Sequence, residues 1–219
     1  KKQYKMTEIE VEVYPQKKSP KLFNNRFLEF LTRTHPIVID TMYLAGSYFL
    51  IRYYSEHYTA SPVLIIGLFF TGFFSWSLAE YLMHRFLYHK IQDATYDSGI
   101  QYLFHGIHHE YPNDKARLVL PVIPSLVIAS VLFGAFYLIL GKFAFVFAPG
   151  FLIGYISYMT VHYVIHKVAP PKRFNFWWRF HNIHHFQQHD RAFGVTSPLW
   201  DMVFGTMPEK NRKTVIIKK

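Results

Sequence analysis

The sequence predicts an all-α integral membrane protein of about four transmembrane helices with a cytoplasmic helical cap. Three observations carry this: four apolar stretches of near-spanning length, a one-sided distribution of Lys and Arg, and histidines gathered at one end of those stretches. Of 219 residues, 51% are hydrophobic and 19% aromatic, while only 17% are charged, against about 25% in a soluble domain. A helix needs roughly 20 apolar residues to cross a hydrocarbon core of about 30 Å. The stretches 62–83, 118–140 and 143–165 meet that length. The stretch 37–54, with Asp40 and Arg52 near its ends, meets it with tilt or with tyrosines at the interface. A soluble helical bundle would need polar faces that these runs do not offer.

Residues 1–36 are polar, basic and interrupted by Pro15, Pro20 and Pro36. They are expected to form an arm against the membrane surface, helical in part from Lys21 to Thr34. The membrane domain then fills 37–219, with its cap in 84–117 and 166–208. If the N-terminus is cytoplasmic, the segments 1–36, 84–117 and 166–219 carry eight, four and ten Lys/Arg, which is 22 of the 24. Only Arg52 and Lys142 fall on the far side. That asymmetry follows the positive-inside rule and accounts for the net charge of +10 without nucleic acid. The chain has no cysteine, which excludes disulfides, thiolate iron–sulfur clusters, zinc fingers and a cysteine nucleophile.

Ten of the thirteen histidines fall into four groups: His84 and His89; His105, His108 and His109; His162 and His166; His181, His184 and His185. With the topology above, all four groups reach the cytoplasmic level. Residues three and four apart share a helix face, so His105, His108 and His109 can converge, as can His181, His184 and His185, and His162 with His166. His84 and His89 are five apart and share no face of a regular helix, so a frayed or bent helix is expected between them. Neutral imidazole suits iron, copper, nickel and zinc. Three or four imidazoles fill one zinc site; ten suit two ions with about five each, some 3–6 Å apart by analogy with other two-metal sites. The zinc-protease motif H-E-x-x-H is absent. A transporter would place its ligands near the midplane of its spans rather than at one end. His35, His57 and His189 fall outside the pattern and are expected at the interface or surface.

At these residues the chain resembles the membrane fatty acid hydroxylase family, which includes sterol desaturases, sterol methyl oxidases and carotenoid hydroxylases. Within it the sequence is most similar to fatty acid 2-hydroxylases, over about Leu78 to Pro208. The resemblance is carried by Ala79-Glu-Tyr-Leu-Met-His-Arg-Phe86, Asp114-Lys-Ala-Arg-Leu-Val-Leu-Pro121 and the segment from Phe193 to Thr206, which is not histidine-rich. It implies that His84, His89, His105, His108, His109, His162, His166, His181, His184 and His185 hold two iron ions, which zinc can replace in purified protein because imidazole sites bind it more tightly. It also implies hydroxylation with O2 of a lipid substrate in the membrane. Lys167 departs from the pattern, since relatives often carry a second histidine there. Nothing in the sequence resembles the His-Pro-Gly-Gly heme motif of a cytochrome b5-like domain. The electrons are therefore expected from a separate carrier, cytochrome b5-like or a ferredoxin, with its reductase.

Glu80, one helical turn before His84, is expected to accept the other ring N–H of a ligand or to stand as a helix-end charge among headgroups. Asp201 is expected to play the same role as Glu80. Asp114 and Arg117 are expected to pair at the surface or touch a lipid headgroup. Tyr155, Tyr158 and Tyr163 are expected to line an acyl cavity or anchor the interface. Two rivals share the histidines: a sterol or carotenoid oxidase of the same family, and a zinc-dependent membrane hydrolase that needs no oxygen.

Overall fold

The computed structural model describes residues 13–15, 17–89 and 99–210. Its regular structure is helical: α1 (Arg26–Leu31), α2 (Pro36–His57), α3 (Pro62–Leu82), α4 (Gly99–Gln101), α5 (Ile107–Glu110), α6 (Val122–Leu140), α7 (Ala144–Lys167), α8 (Phe176–Phe186) and α9 (Leu199–Val203). The long helices start where local chemistry favours it. Pro36 and Pro62 occupy the first turns of α2 and α3, where no N–H partner is lost, and the Ser61 hydroxyl accepts from Leu64 N.

Two helical stretches are long and apolar enough to cross a membrane: Pro62–Tyr88, and Lys115–Lys167, whose 53 residues contain both α6 and α7. α2 is not among them, because Asp40, Arg52, Glu56 and its tyrosines lower its hydropathy. Its outer face is apolar all the same, with Ile37, Leu44 and Phe49 exposed.

α3 and α7 form the centre of the molecule. They touch at Gly72 and Gly150, where an added Cβ would overlap the backbone carbonyls of Phe147 and Phe69. Small residues let apolar helices approach this closely where no hydrophobic force between helices and lipid drives them together. Around that contact Trp76 packs edge-on against Phe151, with ring centroids 5.1 Å apart, and against Tyr155 at 4.8 Å. Replacing Gly150 with leucine is expected to force the two helices apart at a cost of about 1–3 kcal/mol. Thermal unfolding in detergent reads this directly, and an unchanged midpoint would contradict the close contact.

The described part of the N-terminal arm packs onto the cap. Val13 is buried, Tyr14 N donates to Glu110 O, and Asn113 Nδ2 donates to Pro15 O. The partial helix expected between Lys21 and Thr34 is Arg26–Leu31, where Asn25 caps it and Thr32 closes it. Residues 1–12 lie outside the described residues.

Asp114 and Arg117 are also not the surface pair expected. The Arg117 side chain is 2% exposed and donates to Ser19 Oγ at 2.8 Å, Thr32 Oγ1 at 3.1 Å and Glu29 Oε1 at 2.9 Å. Asp114 accepts from Ser19 N and Ser19 Oγ. Burial pushes the Asp114 carboxyl up, but the hydrogen bonds from Ser19 and Ala116 outweigh it and hold it below its usual range. Buried charges need such partners, and here they come from an arm some 90 residues away in sequence, which the spacing of Asp114 and Arg117 does not reveal.

Candidate metal centre

The ten histidines come together, and nine of them are buried, with His166 partly exposed. They form two sets of five: His84, His89, His105, His109 and His184; and His108, His162, His166, His181 and His185. Within each set one ring nitrogen per residue lies within 4.8 Å of all the others. The adjacent pairs therefore split. His108 and His109 serve different sets, as do His184 and His185. Neighbours on a helix point about 100° apart, so each pair straddles the two positions. The pairs four apart stay together: His105 with His109, His162 with His166, and His181 with His185.

His84 and His89 share a set for a different reason. Met83–Tyr88 is a π-helical turn, and His89 follows it with extended backbone at φ −104°, ψ 135°. The wider turn, with its i→i+5 bonds, is the local device that closes a five-residue spacing. Tyr102–Gly106 is a second π-helical turn and delivers His105.

The donor set fits a cation. His84 Nδ1 lies 2.5 Å from Phe193 O, and His184 Nδ1 lies 2.7 Å from Arg191 O. A carbonyl only accepts, so both Nδ1 atoms carry the proton, and the neutral ring then presents a lone pair at Nε2. Those Nε2 atoms face His105 Nε2 at 2.9 Å and His89 Nε2 at 3.1 Å. In the second set, Nε2 atoms face each other at 3.0 Å for His108 and His162 and at 2.9 Å for His166 and His181. The buried His185 Nε2 has no hydrogen-bond partner at all. Converging lone pairs are satisfied by a metal ion at about 2.0–2.1 Å from each nitrogen. Burial, followed by mutual repulsion among neighbouring histidines, holds His89, His105, His108, His109, His181, His184 and His185 well below the usual imidazole range. All seven are therefore neutral and able to donate.

Glu80 and Asp201 act one bond further out than expected. Neither carboxylate bonds a histidine. Glu80 accepts from Val195 N, Thr196 N and Thr196 Oγ1. Asp201 accepts from Phe193 N, Gly194 N and Thr206 Oγ1. The segment 191–196 is thus held from behind by its N–H groups and turns the carbonyls of Arg191 and Phe193 onto His184 and His84. Between those carbonyls sits Ala192, buried and at φ 57°, a left-handed conformation costly for a residue with a Cβ.

His189 departs furthest from its expectation. It is 7% exposed, and its Nδ1 lies 3.0 Å from His109 Nδ1. The signal available in the sequence was its place close behind the last histidine group. His35 instead caps α2 and packs near Tyr163, while His57 stacks on Tyr53 at an exposed site.

An apolar cavity of about 570 Å³ lies between α2, α3, α6 and α7 and is lined by Tyr43, Trp76, Phe133, Phe151 and Tyr155 among others. Met83 and Tyr88 close the end nearest the histidines. The Tyr88 ring stacks on His105, with centroids 5.4 Å apart. Of the three tyrosines singled out, Tyr155 lines the cavity. Tyr158 stacks on His162 at 5.6 Å, and Tyr163 lies against His35.

Helices of membrane-crossing length, together with the short cap helices that bring ten imidazoles to one buried centre, define a histidine-cluster membrane protein. Residues 69–206 match the model of the fatty acid hydroxylase family, and the chain belongs to that family. It is 36% identical over 195 residues to a dihydroceramide fatty acyl 2-hydroxylase of Arabidopsis thaliana, covering 86% of this chain and 80% of that one. It is 35% identical to the fatty acid 2-hydroxylase of Homo sapiens, covering 87% of this chain and 57% of the human protein. The solved structure of Scs7p, in which only the hydroxylase domain is visible, superposes with a TM-score of 0.77 at 32% identity, over 88% of this chain and 74% of that one.

Proposed function

We propose that the protein hydroxylates the second carbon of a fatty acyl chain, of sphingolipid or free-acid type, using O2 and two iron ions held by the ten histidines. The observation that carries this reading is the apolar cavity ending at Met83 and Tyr88 beside the first histidine set. Its volume is in the range of small-molecule sites, and its lining suits a hydrocarbon tail. A tail lying there brings the carbons next to its polar head up to the histidines, while the head stays at the cap.

Hydroxylation of an unactivated C–H bond needs an oxidant stronger than any side chain, and the two ions supply that chemistry when bound. The protein's own part is placement and exclusion. The cavity walls orient the chain, the packed histidines and Phe193 keep water from the centre, and the carbonyls of Arg191 and Phe193 hold two rings in one tautomer. Electrons come from an external carrier, cytochrome b5-like or a ferredoxin, with its reductase. The basic segments 84–117 and 166–219 suit an acidic carrier steered by charge. On the Lys/Arg asymmetry, the chain is multi-pass with its catalytic face cytoplasmic, in the endoplasmic reticulum of a eukaryote or the inner membrane of a bacterium.

The test is lipid mass spectrometry of a host expressing the chain, with isotopically labelled oxygen gas supplied. The expected product is a 2-hydroxy acyl lipid carrying the label in its new hydroxyl. Label from water, or activity without oxygen, would replace this reading with a hydrolase or hydratase.

A further inference from the structure

The turn after α8 places an eleventh histidine against one of the ten. Gln187 N and Gln188 N both donate to Ile183 O, and Arg191 N donates to Gln188 O, so the chain doubles back tightly over residues 187–191. Within that turn the buried His189 ring meets His109, with centroids 5.0 Å and Nδ1 atoms 3.0 Å apart. His109 turns its other nitrogen into the first set, where Nε2 lies 3.0 Å from His105 Nε2. We propose that His189 is a positioning residue for the first ion position, orienting His109 by accepting its Nδ1 proton in a hydrogen bond. The proposal rests on the reading of the ten histidines as metal ligands.

One proton lies between two nitrogens. When His109 Nε2 gives its lone pair to an ion, the neutral ring carries its proton on Nδ1. His189 then presents a lone pair at its own Nδ1 and keeps its proton on Nε2. No proton leaves the pair and no charge develops. His109 thereby receives from a side chain what His84 receives from Phe193 O and His184 from Arg191 O. All three contacts come from the single run 189–193, so one turn of chain orients three of the five rings around the first position.

Among the described residues, three of the five rings of the second set lack such a contact. Nδ1 of His108, His181 and His185 is buried without a hydrogen-bond partner. Partners of this kind are worth roughly 10–100-fold in metal affinity. His189 therefore helps to make the two positions unequal, with the first holding its ion more tightly.

The experiment uses the full chain loaded with zinc alone. A chelator is added, and ion release is followed by metal analysis while circular dichroism monitors the fold. Wild-type protein should release its two ions in two phases. His189→Phe should speed the slow phase about 10–100-fold and leave the fast one unchanged. His189→Asn, whose amide oxygen can accept in place of Nδ1, should restore the slow phase to within a few-fold. In a His109→Ala background, His189→Phe should have no further effect, because the partner it acts through is gone. If the phenylalanine variant does not fold, His189→Ala against His189→Asn carries the same comparison. An unchanged slow phase, equal acceleration of both phases, or an undiminished effect without His109 overturns the role of His189 while leaving the two-ion centre standing. Wild-type protein that holds fewer than two zinc ions overturns that centre and the proposal together.

Discussion

His184→Ala is expected to abolish hydroxylation and remove the ion of the first set, and His108→Ala should do the same at the second set. Both proteins should remain inserted in the membrane. Each ring is almost fully buried and contributes one of five converging nitrogens. Neither belongs to the apolar stretches Pro62–Tyr88 and Lys115–Lys167. The variants therefore lose a ligand while the membrane helices and the close α3–α7 approach at Gly72 and Gly150 persist. The pair discriminates between assignments as well. Product measured by mass spectrometry should vanish in both variants. Metal analysis should show one ion retained in each, and a chelator should release the retained ion fast in His184→Ala and slowly in His108→Ala. Loss of both ions from both variants would show a single shared position instead of two sets.

Asp201→Ala should produce the largest effect outside the histidines. Asp201 is fully buried and accepts Phe193 N at 3.0 Å, Gly194 N at 2.8 Å and Thr206 Oγ1 at 2.7 Å. Burial raises its carboxyl, yet those three donors keep it the anchor of the segment. Removing it strands three donors, and each buried donor left unmade costs about 1–3 kcal/mol. The backbone from 191 to 196 then loses its support, including the strained Ala192, and with it the carbonyls that orient His84 and His184. The expected result is a markedly lower unfolding midpoint together with loss of the first ion before the second. Asp201→Asn keeps one acceptor oxygen and should fall between. A variant with wild-type stability and two tightly held ions would refute the role of this anchor.

Much of this centre is legible in the sequence, and the parts that are not have a common cause. The four histidine groups show because spacings of three and four are a helix's own signature. The partition into two sets does not show, since it depends on how His108 and His109, or His184 and His185, straddle two positions. The π-turn at Met83–Tyr88 is legible only as an anomaly, a five-residue interval that a regular helix cannot close. Glu80 is legible as an acid one helical turn before His84, and Asp201 as part of the segment from Phe193 to Thr206. Their partners are backbone N–H groups from Phe193 to Thr196, which carry no sequence signal, and one threonine hydroxyl each. The same holds for Arg117, whose acceptors Ser19 and Glu29 lie on an arm remote in sequence. His189 was missed because it stands past the end of α8, where helical spacing stops being a guide.

The split of neighbouring histidines also sets a timetable for biosynthesis. α8 supplies His184 to one set and His181 and His185 to the other. Neither position is complete until that helix has left the ribosome and docked. The α5 pair, His108 and His109, likewise belongs to both, so neither half can be assembled and loaded ahead of its partner. An ion would therefore find neither position complete before α8 is made, and the docking of α8 closes both positions at once. A ribosome stalled just before residue 176 would display an inserted, helical and metal-free precursor.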